Sequence, residues 1–150
     1  MKVLRIARLP KAGDLPLPAY KTAQAAGMDI GACVEGSVTI APGERVLIPT
    51  GLVMALAPGF EAQIRPRSGL ALNHGITVLN APGTIDADYR GELQILLINH
   101  GHEDFILRRG ERIAQIVISP FERVSWAEED YIDPGETRRG ESGYGSTGVE

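Results

Sequence analysis

Four proline–glycine pairs, Pro42-Gly43, Pro58-Gly59, Pro82-Gly83 and Pro134-Gly135, cut this chain into short segments. Proline fixes φ and glycine tolerates φ > 0, so each pair predicts a tight corner. Between the corners lie short β-branched or aliphatic runs: Ser37 to Ile40, Arg45 to Ile48, Leu52 to Leu56 and Glu61 to Arg65. Pro49-Thr50-Gly51 reads as one more separator between them. No helical period of convincing length runs through the first 65 residues. Val3 to Leu9 alternates apolar and basic residues, as an edge strand does, and Lys11 to Pro18 reads as loop. Leu93 to Ile98 is nearly all apolar and predicts a strand buried on both faces. Arg123 to Trp126 predicts a last strand. The expectation is an all-β chain of many short strands.

Bulk properties narrow what such a chain does. At 150 residues it is long enough for one domain with a true core. Glycine and proline together make up roughly 19% of it, against about 12% on average, which favours turns over helices. The net charge of −4 argues against a broad surface for nucleic acid, so phosphate binding has to be local. A single cysteine, Cys33, excludes an intrachain disulfide and fits a reducing compartment. No apolar run reaches membrane length, and Met1 to Pro10 carries arginines where a leader needs apolar residues. A cytoplasmic protein with no membrane partner is the expectation.

Chemistry concentrates in Asn80 to Glu92, NAPGTIDADYRGE, a polar loop between two β segments. If Asp86 and Asp88 lie in an extended strand, they share a face. Such a pair can hold Mg²⁺ directly, or one carboxylate can take a proton from water. The second is preferred, because Mg²⁺ keeps several waters and sits well on substrate phosphates. Two exposed strand aspartates with no role are the plainer alternative. Asp29, in Ala26 to Ala32, reads alone as a turn aspartate at a strand start. Ser68, after Pro66-Arg67, predicts the N-cap of a short helix, and free N–H groups beside Arg67 suit a phosphate. An ordinary capped turn is the competing reading. Gln115 interrupts an apolar strand and must either bond a neighbouring backbone or face a wet site. His100 and His102 lack a third ligand nearby, so zinc is not expected. From Glu128 the chain turns acidic and then glycine- and serine-rich, which predicts a flexible tail. Its glycines, Arg139, Ser146 and Thr147 nonetheless suit an anion, and Tyr144 a base.

These five stretches, in this order, resemble the motifs of the trimeric dUTP pyrophosphatases (dUTPases), covering residues 26 to 148. The resemblance implies an all-β jelly roll (dUTPase-like β-clip) over residues 1–127, with a flexible C-terminal arm over 128–150. It implies hydrolysis of dUTP with Mg²⁺ by a homotrimer whose sites are shared between subunits. Asp86 would be the base that activates water. Asn80, Gly83, Thr84 and Ile85 would line a uracil and deoxyribose pocket, and the ring of Tyr89 would exclude a 2′-hydroxyl. Arg67, Ser68, Gly69 and Gln115 would meet the phosphates. Asp29 and Gln115 would meet the metal through water, with Mg²⁺ mainly on the substrate's phosphates. Arg139, Tyr144, Gly145, Ser146 and Thr147 would belong to an arm closing over the nucleotide. The chain departs from the family at Met28, where tyrosine is usual, at Ser142, where glycine is usual, and at Tyr144, where phenylalanine is common. Three rivals are a dCTP deaminase of the same fold, a non-catalytic nucleotide-binding module, and a metal-dependent cupin. The first needs another acid–base set, the second would bind without turnover, and the third needs histidines elsewhere.

Overall fold

The apolar runs become antiparallel strands in the computed structural model, which describes residues 3–143. In chain order they are β1 (Arg5–Arg8), β2 (Gly27–Gly31), β3 (Ser37–Ile40), β4 (Arg45–Ala55) and β5 (Phe60–Arg65). The helix α1 (Ser68–His74) follows, then β6 (Ile76–Val78), β7 (Gly83–Ile85), β8 (Glu92–Asn99), β9 (Phe105–Arg108) and β10 (Arg112–Pro120). One sheet has the order β1-β4-β8-β6 and a second β2-β10-β5-β7, while β3 and β9 form a two-stranded ribbon. All the pairings are antiparallel. Ile30, Ile64 and Ile116 from one sheet meet Ile48, Ile95 and Leu97 from the other in a single buried cluster. This is the two-sheet, all-β architecture expected of a jelly roll.

The corners at Gly43 and Gly59 take φ of 79° and 80°, as proline–glycine turns require. Pro82-Gly83 differs: Gly83 does not take a positive φ and instead opens β7. Pro49-Thr50-Gly51 also departs from expectation. It does not separate two strands but lies inside β4 as an irregularity, where the register against β8 shifts between Pro49 and Val53. Proline is tolerated where the ladder is interrupted. Gly51 takes φ 67°, its N–H donates to Glu92 Oε1 at 2.8 Å, and the buried Thr50 hydroxyl donates to the Leu93 carbonyl at 2.7 Å. Non-local bonds to β8 therefore hold together what local signals would divide.

Three further expectations change. Ser68 is the first helical residue rather than the cap; Arg67 holds the cap position and no side chain caps the helix. Strand β8 buries Leu93, Ile95 and Leu97 on one face, whereas Gln94 is exposed and Leu96 and Ile98 are half-buried on the other. Among the described residues Arg123 to Trp126 pairs with no strand, and Trp126 is 94% exposed. Among the described residues, 121–143 contain only a 3₁₀ turn at Pro134–Glu136. No helix is long and apolar enough to cross a membrane among the described residues.

Asn99 closes the end of β8. Fully buried, its amide donates to the carbonyls of Ile40 and Glu103 at 2.8 Å each and accepts from Gly101 N–H at 2.8 Å. On the opposite flank, hydrogen bonds from Arg109 hold the Asp14 carboxyl below its ordinary pKa and tie the Lys11 and Val34 carbonyls together. Replacing Asn99 by leucine removes the partner of the Ile40 carbonyl on β3 and of the Gly101 N–H and Glu103 carbonyl in the loop after β8. Asn99→Leu is expected to lower stability by about 3 kcal/mol, read as a reduced urea midpoint at unchanged m-value.

Candidate active site

The polar residues singled out above fall into two clusters. The first lies on the outward face of the β2-β10-β5 sheet. Asp29 on β2 sits directly across from Gln115 on β10, and Gln115 sits across from Arg65 on β5. Arg67, just past the end of β5, donates from Nε to Asp29 Oδ1 at 2.9 Å and from Nη1 to the Arg112 carbonyl at 3.0 Å. The Gln115 amide donates to the Pro66 carbonyl at 2.9 Å and so fixes the residue immediately before Arg67. Gln115 thus takes both options left open by the sequence. It satisfies a backbone carbonyl and stands beside a charged cluster. Gly27 makes room for it, because a Cβ there would fall 2.5 Å from Gln115 Oε1.

Sequence reasoning missed Arg112. Its Nη1 donates to Asp29 Oδ2 at 3.0 Å, so the two oxygens of Asp29 are divided between two guanidiniums. The Asp29 side chain is only 21% exposed. A carboxylate so engaged, with two positive groups beside it, is poorly suited to bind a metal ion directly. Among the described residues no group of three or more His, Cys, Asp or Glu side chains is placed to hold a metal. Ser68 and Gly69 continue from Arg67 into the first turn of α1, and both are exposed.

The second cluster belongs to the hairpin from Asn80 to Glu92. Asp86, Tyr89, Thr84 and Ile85 line a cavity of about 270 Å³ with Leu47, Glu92, Leu93 and Gln94. Strand β7 pairs with β5 on one sheet, while Leu47 and Gln94 come from β4 and β8 of the other. The cavity therefore opens at the seam between the sheets. Asp86 and Asp88 do not share a strand face, because the chain turns after Ile85 and Tyr89 N–H bonds the Asp86 carbonyl at 3.2 Å. Both carboxylates are exposed. Tyr89 Oη donates to the Glu92 carbonyl at 3.0 Å, and its ring closes over Gly91. The buried Gly83 faces Asn80, whose Nδ2 stands 3.2 Å from where a Cβ would lie.

These clusters do not meet within one chain. The Asp86 loop leaves β7 at Ile85, which pairs with Ala62, whereas Arg67 lies beyond the other end of β5. From Ala62 to Arg67 is five residues, roughly 17 Å of strand. Neither Asp29, Arg67 nor Gln115 lines the cavity beside Asp86. Arg139 makes local contacts, its Nε donating to the Ser142 carbonyl at 2.9 Å. Ser142 takes no positive φ; among the described residues of this segment only Gly140 does, at 50°. Tyr144, Gly145, Ser146 and Thr147 lie outside the described residues. Gly91→Ala places a methyl within 2.2 Å of Tyr89 Oη. That substitution is expected to swing the Tyr89 ring off the cavity wall, break its bond to Glu92, and cost about 1 kcal/mol. A crystal structure and a urea titration of the variant check both parts.

Comparison with known proteins gives these clusters a context. The dUTPase family model matches residues 14–148. A mutant dUTPase of Staphylococcus bacteriophage 80alpha, solved with dUpNHpp, superposes with a TM-score of 0.86 at 24% identity, covering 99% of this chain and 100% of that one. A mutant dUTPase from phage phi11 of S. aureus, whose structure describes the coordination of a structural Mg(II) ion, superposes at 0.77 with 20% identity, over 87% of this chain and 98% of that one. At these identities the likeness is one of fold. With the family match running across nearly its whole length and both clusters inside it, this chain belongs to the dUTPase family.

Proposed function

We propose that the protein hydrolyses dUTP to dUMP and pyrophosphate, with Asp86 as the base. The observation that carries this reading is the cavity at the sheet seam, where an exposed carboxylate and a pinned tyrosine share one wall in a chain of this family. Asp86 removes a proton from a water held in line with the α-phosphorus. The resulting hydroxide attacks phosphorus, the bond to the β-phosphate bridging oxygen breaks, and pyrophosphate leaves with that oxygen. Uracil and deoxyribose occupy the hairpin cavity. Thr84 and Ile85 offer backbone along the cavity wall, and Asn80, packed on Gly83 in the same hairpin but outside that wall, would offer a donor and an acceptor to the base. The Tyr89 ring, seated on Gly91 and bonded to Glu92, packs against the sugar and leaves no room for a 2′-hydroxyl. Close packing is what makes that discrimination worth having, since rejecting a hydroxyl by a loose fit is weak.

The triphosphate belongs to the other cluster. Arg67 uses Nε and Nη1 within the protein, and among the described residues its Nη2 has no partner. That edge suits a phosphate oxygen. Ser68, Gly69 and Gln115 flank it, and Arg139, Ser146 and Thr147 complete the clamp from the arm, with Tyr144 and Gly145 closing over the base. In this reading residues 1–127 are the body, and residues 128–150 are the arm that covers the bound nucleotide and excludes bulk water. Asp29 and Gln115 would hold Mg²⁺ through water rather than directly, and Mg²⁺ carried by the nucleotide would supply charge neutralisation. A chelator should therefore abolish pyrophosphate release. The reaction removes a precursor of uracil in DNA and supplies dUMP for dTMP synthesis, a role suited to the cytoplasm.

Because the base and the phosphate anchors stand at opposite ends of β5, one site needs both from different copies. A homotrimer with shared sites meets that need. Asp86→Asn should lose nearly all turnover while still binding nucleotide. Arg67→Gln should raise KM and lower kcat. Refolded together in equal amounts, these two impaired chains should recover roughly a quarter of the wild-type rate, above what either gives alone. That is the chance that a site draws an intact Asp86 and an intact Arg67 from two protomers. No recovery on mixing, or an active monomer by light scattering, would overturn the shared site. Near-wild-type turnover by Asp86→Asn would overturn the assigned base.

A further inference from the structure

We infer that Arg112 is a positioning residue for the phosphate anchor, acting on Arg67 through Asp29. The inference rests on the dUTP reading above and adds a residue to it.

The first observation is the register of β10. Gln115 pairs with Asp29 and Ala114 with Ile30, so regular pairing would set Ile113 across from Gly31. Instead Arg112 stands across from Gly31, and the ladder shifts between Arg112 and Ala114. Ile113 is the extra residue of a β-bulge. Regular alternation would put Arg112, three residues before Gln115, on the opposite face of the strand. Burial shows the outcome: Ile113 and Ala114 are consecutive yet both fully buried, at 1% and 0% exposed. The bulge turns Ile113 into the core and brings Arg112 round to the Asp29 side.

The second observation is the bonding there. Asp29 is held at Oδ1 by Arg67 and at Oδ2 by Arg112. The Arg112 carbonyl also accepts from Arg67 Nη1. Arg112 therefore grips Arg67 twice, once by its own backbone and once through the carboxylate. Without the second guanidinium, Asp29 keeps one oxygen unpartnered and its carboxylate is held by the Arg67 Nε bond alone. Arg67 then depends on the Arg112 carbonyl as its one firm anchor and is aimed less tightly. Arg112 matters here as a donor to one carboxylate oxygen over a single bond, which a lysine ammonium can partly replace.

The test is a double-mutant cycle on pyrophosphate release from dUTP. Arg112→Gln is expected to lower kcat/KM about tenfold, and Arg112→Lys to recover to within about threefold of wild type. In an Arg67→Gln background, Arg112→Gln should change kcat/KM less than about twofold, because its route of action is already gone. A readout independent of turnover is the ¹⁵N NMR signal of Arg67 Nε–H, which should broaden and exchange faster in Arg112→Gln. Wild-type kcat/KM in Arg112→Gln, or a full tenfold loss repeated in the Arg67→Gln background, overturns the inference. If Arg112→Gln fails to melt cooperatively, Arg112→Lys carries the same cycle, and its smaller loss should vanish when Arg67 is gone. Failure of the wild type to release pyrophosphate from dUTP would instead remove the functional reading, leaving the NMR arm to judge the positioning claim.

Discussion

Asp29 bound between two guanidiniums is the contact on which the charged face of this protein depends. It ties β2 to the bulged start of β10 and to the residue beyond β5, so three segments distant in sequence share one carboxylate. A partly shielded anion with two hydrogen-bonded cations is far better satisfied than any one of the three alone. Two arginines held by one aspartate also leave the cluster with a net positive charge, fixed in place, where free arginines would spread over many rotamers. The Gln115 bond to Pro66 adds a neutral strut to the same corner. Preorganisation of this kind is what a site for a highly charged phosphate chain requires.

Glycines in the two clusters act mainly by what they leave empty. Gly27 admits the Gln115 amide and Gly91 admits the Tyr89 ring; neither has a positive φ. Gly51 and Gly75 do take φ of 67° and 68°, and each also sits against a neighbour too close for a side chain. Gly75 ends α1 in the left-handed cap that glycine favours, and its backbone packs on Gly101, whose loop hangs from buried Asn99. The end of the helix that carries Ser68 and Gly69 is thus anchored through its far end to the strand β8. Placement of the charged cluster and placement of the core are parts of one packing arrangement.

Much of the architecture was legible in the chain because strands and tight corners are local. Ser37 to Ile40, Glu61 to Arg65 and the run after Gly91 became strands, and the corners at Gly43 and Gly59 formed as their proline–glycine pairs imply. The errors share a cause. Pro49-Thr50-Gly51 looked like a break, but β8 bonds across it. Ser68 looked like a cap, yet the chain enters the helix one residue earlier. Arg123 to Trp126 has the composition of a strand but pairs with no strand among the described residues. In each case local preference was overruled, or left unanswered, by contacts made at long range.

By itself the sequence determined an all-β chain and singled out the polar side chains Asp29, Arg67, Ser68, Asp86, Tyr89 and Gln115. Residue type and local spacing suffice for that. Only the tertiary structure decided how they are grouped. It joined Arg112 to Asp29, because a bulge is defined by the partner strand and not by the strand that carries it. It also set Asp86 and Arg67 at opposite ends of β5, because the register of β7 on β5 comes from packing between segments some 20 residues apart. Side-chain period can say which face a residue takes in a regular strand. It cannot say where regularity stops, and here that is where the charged groups converge.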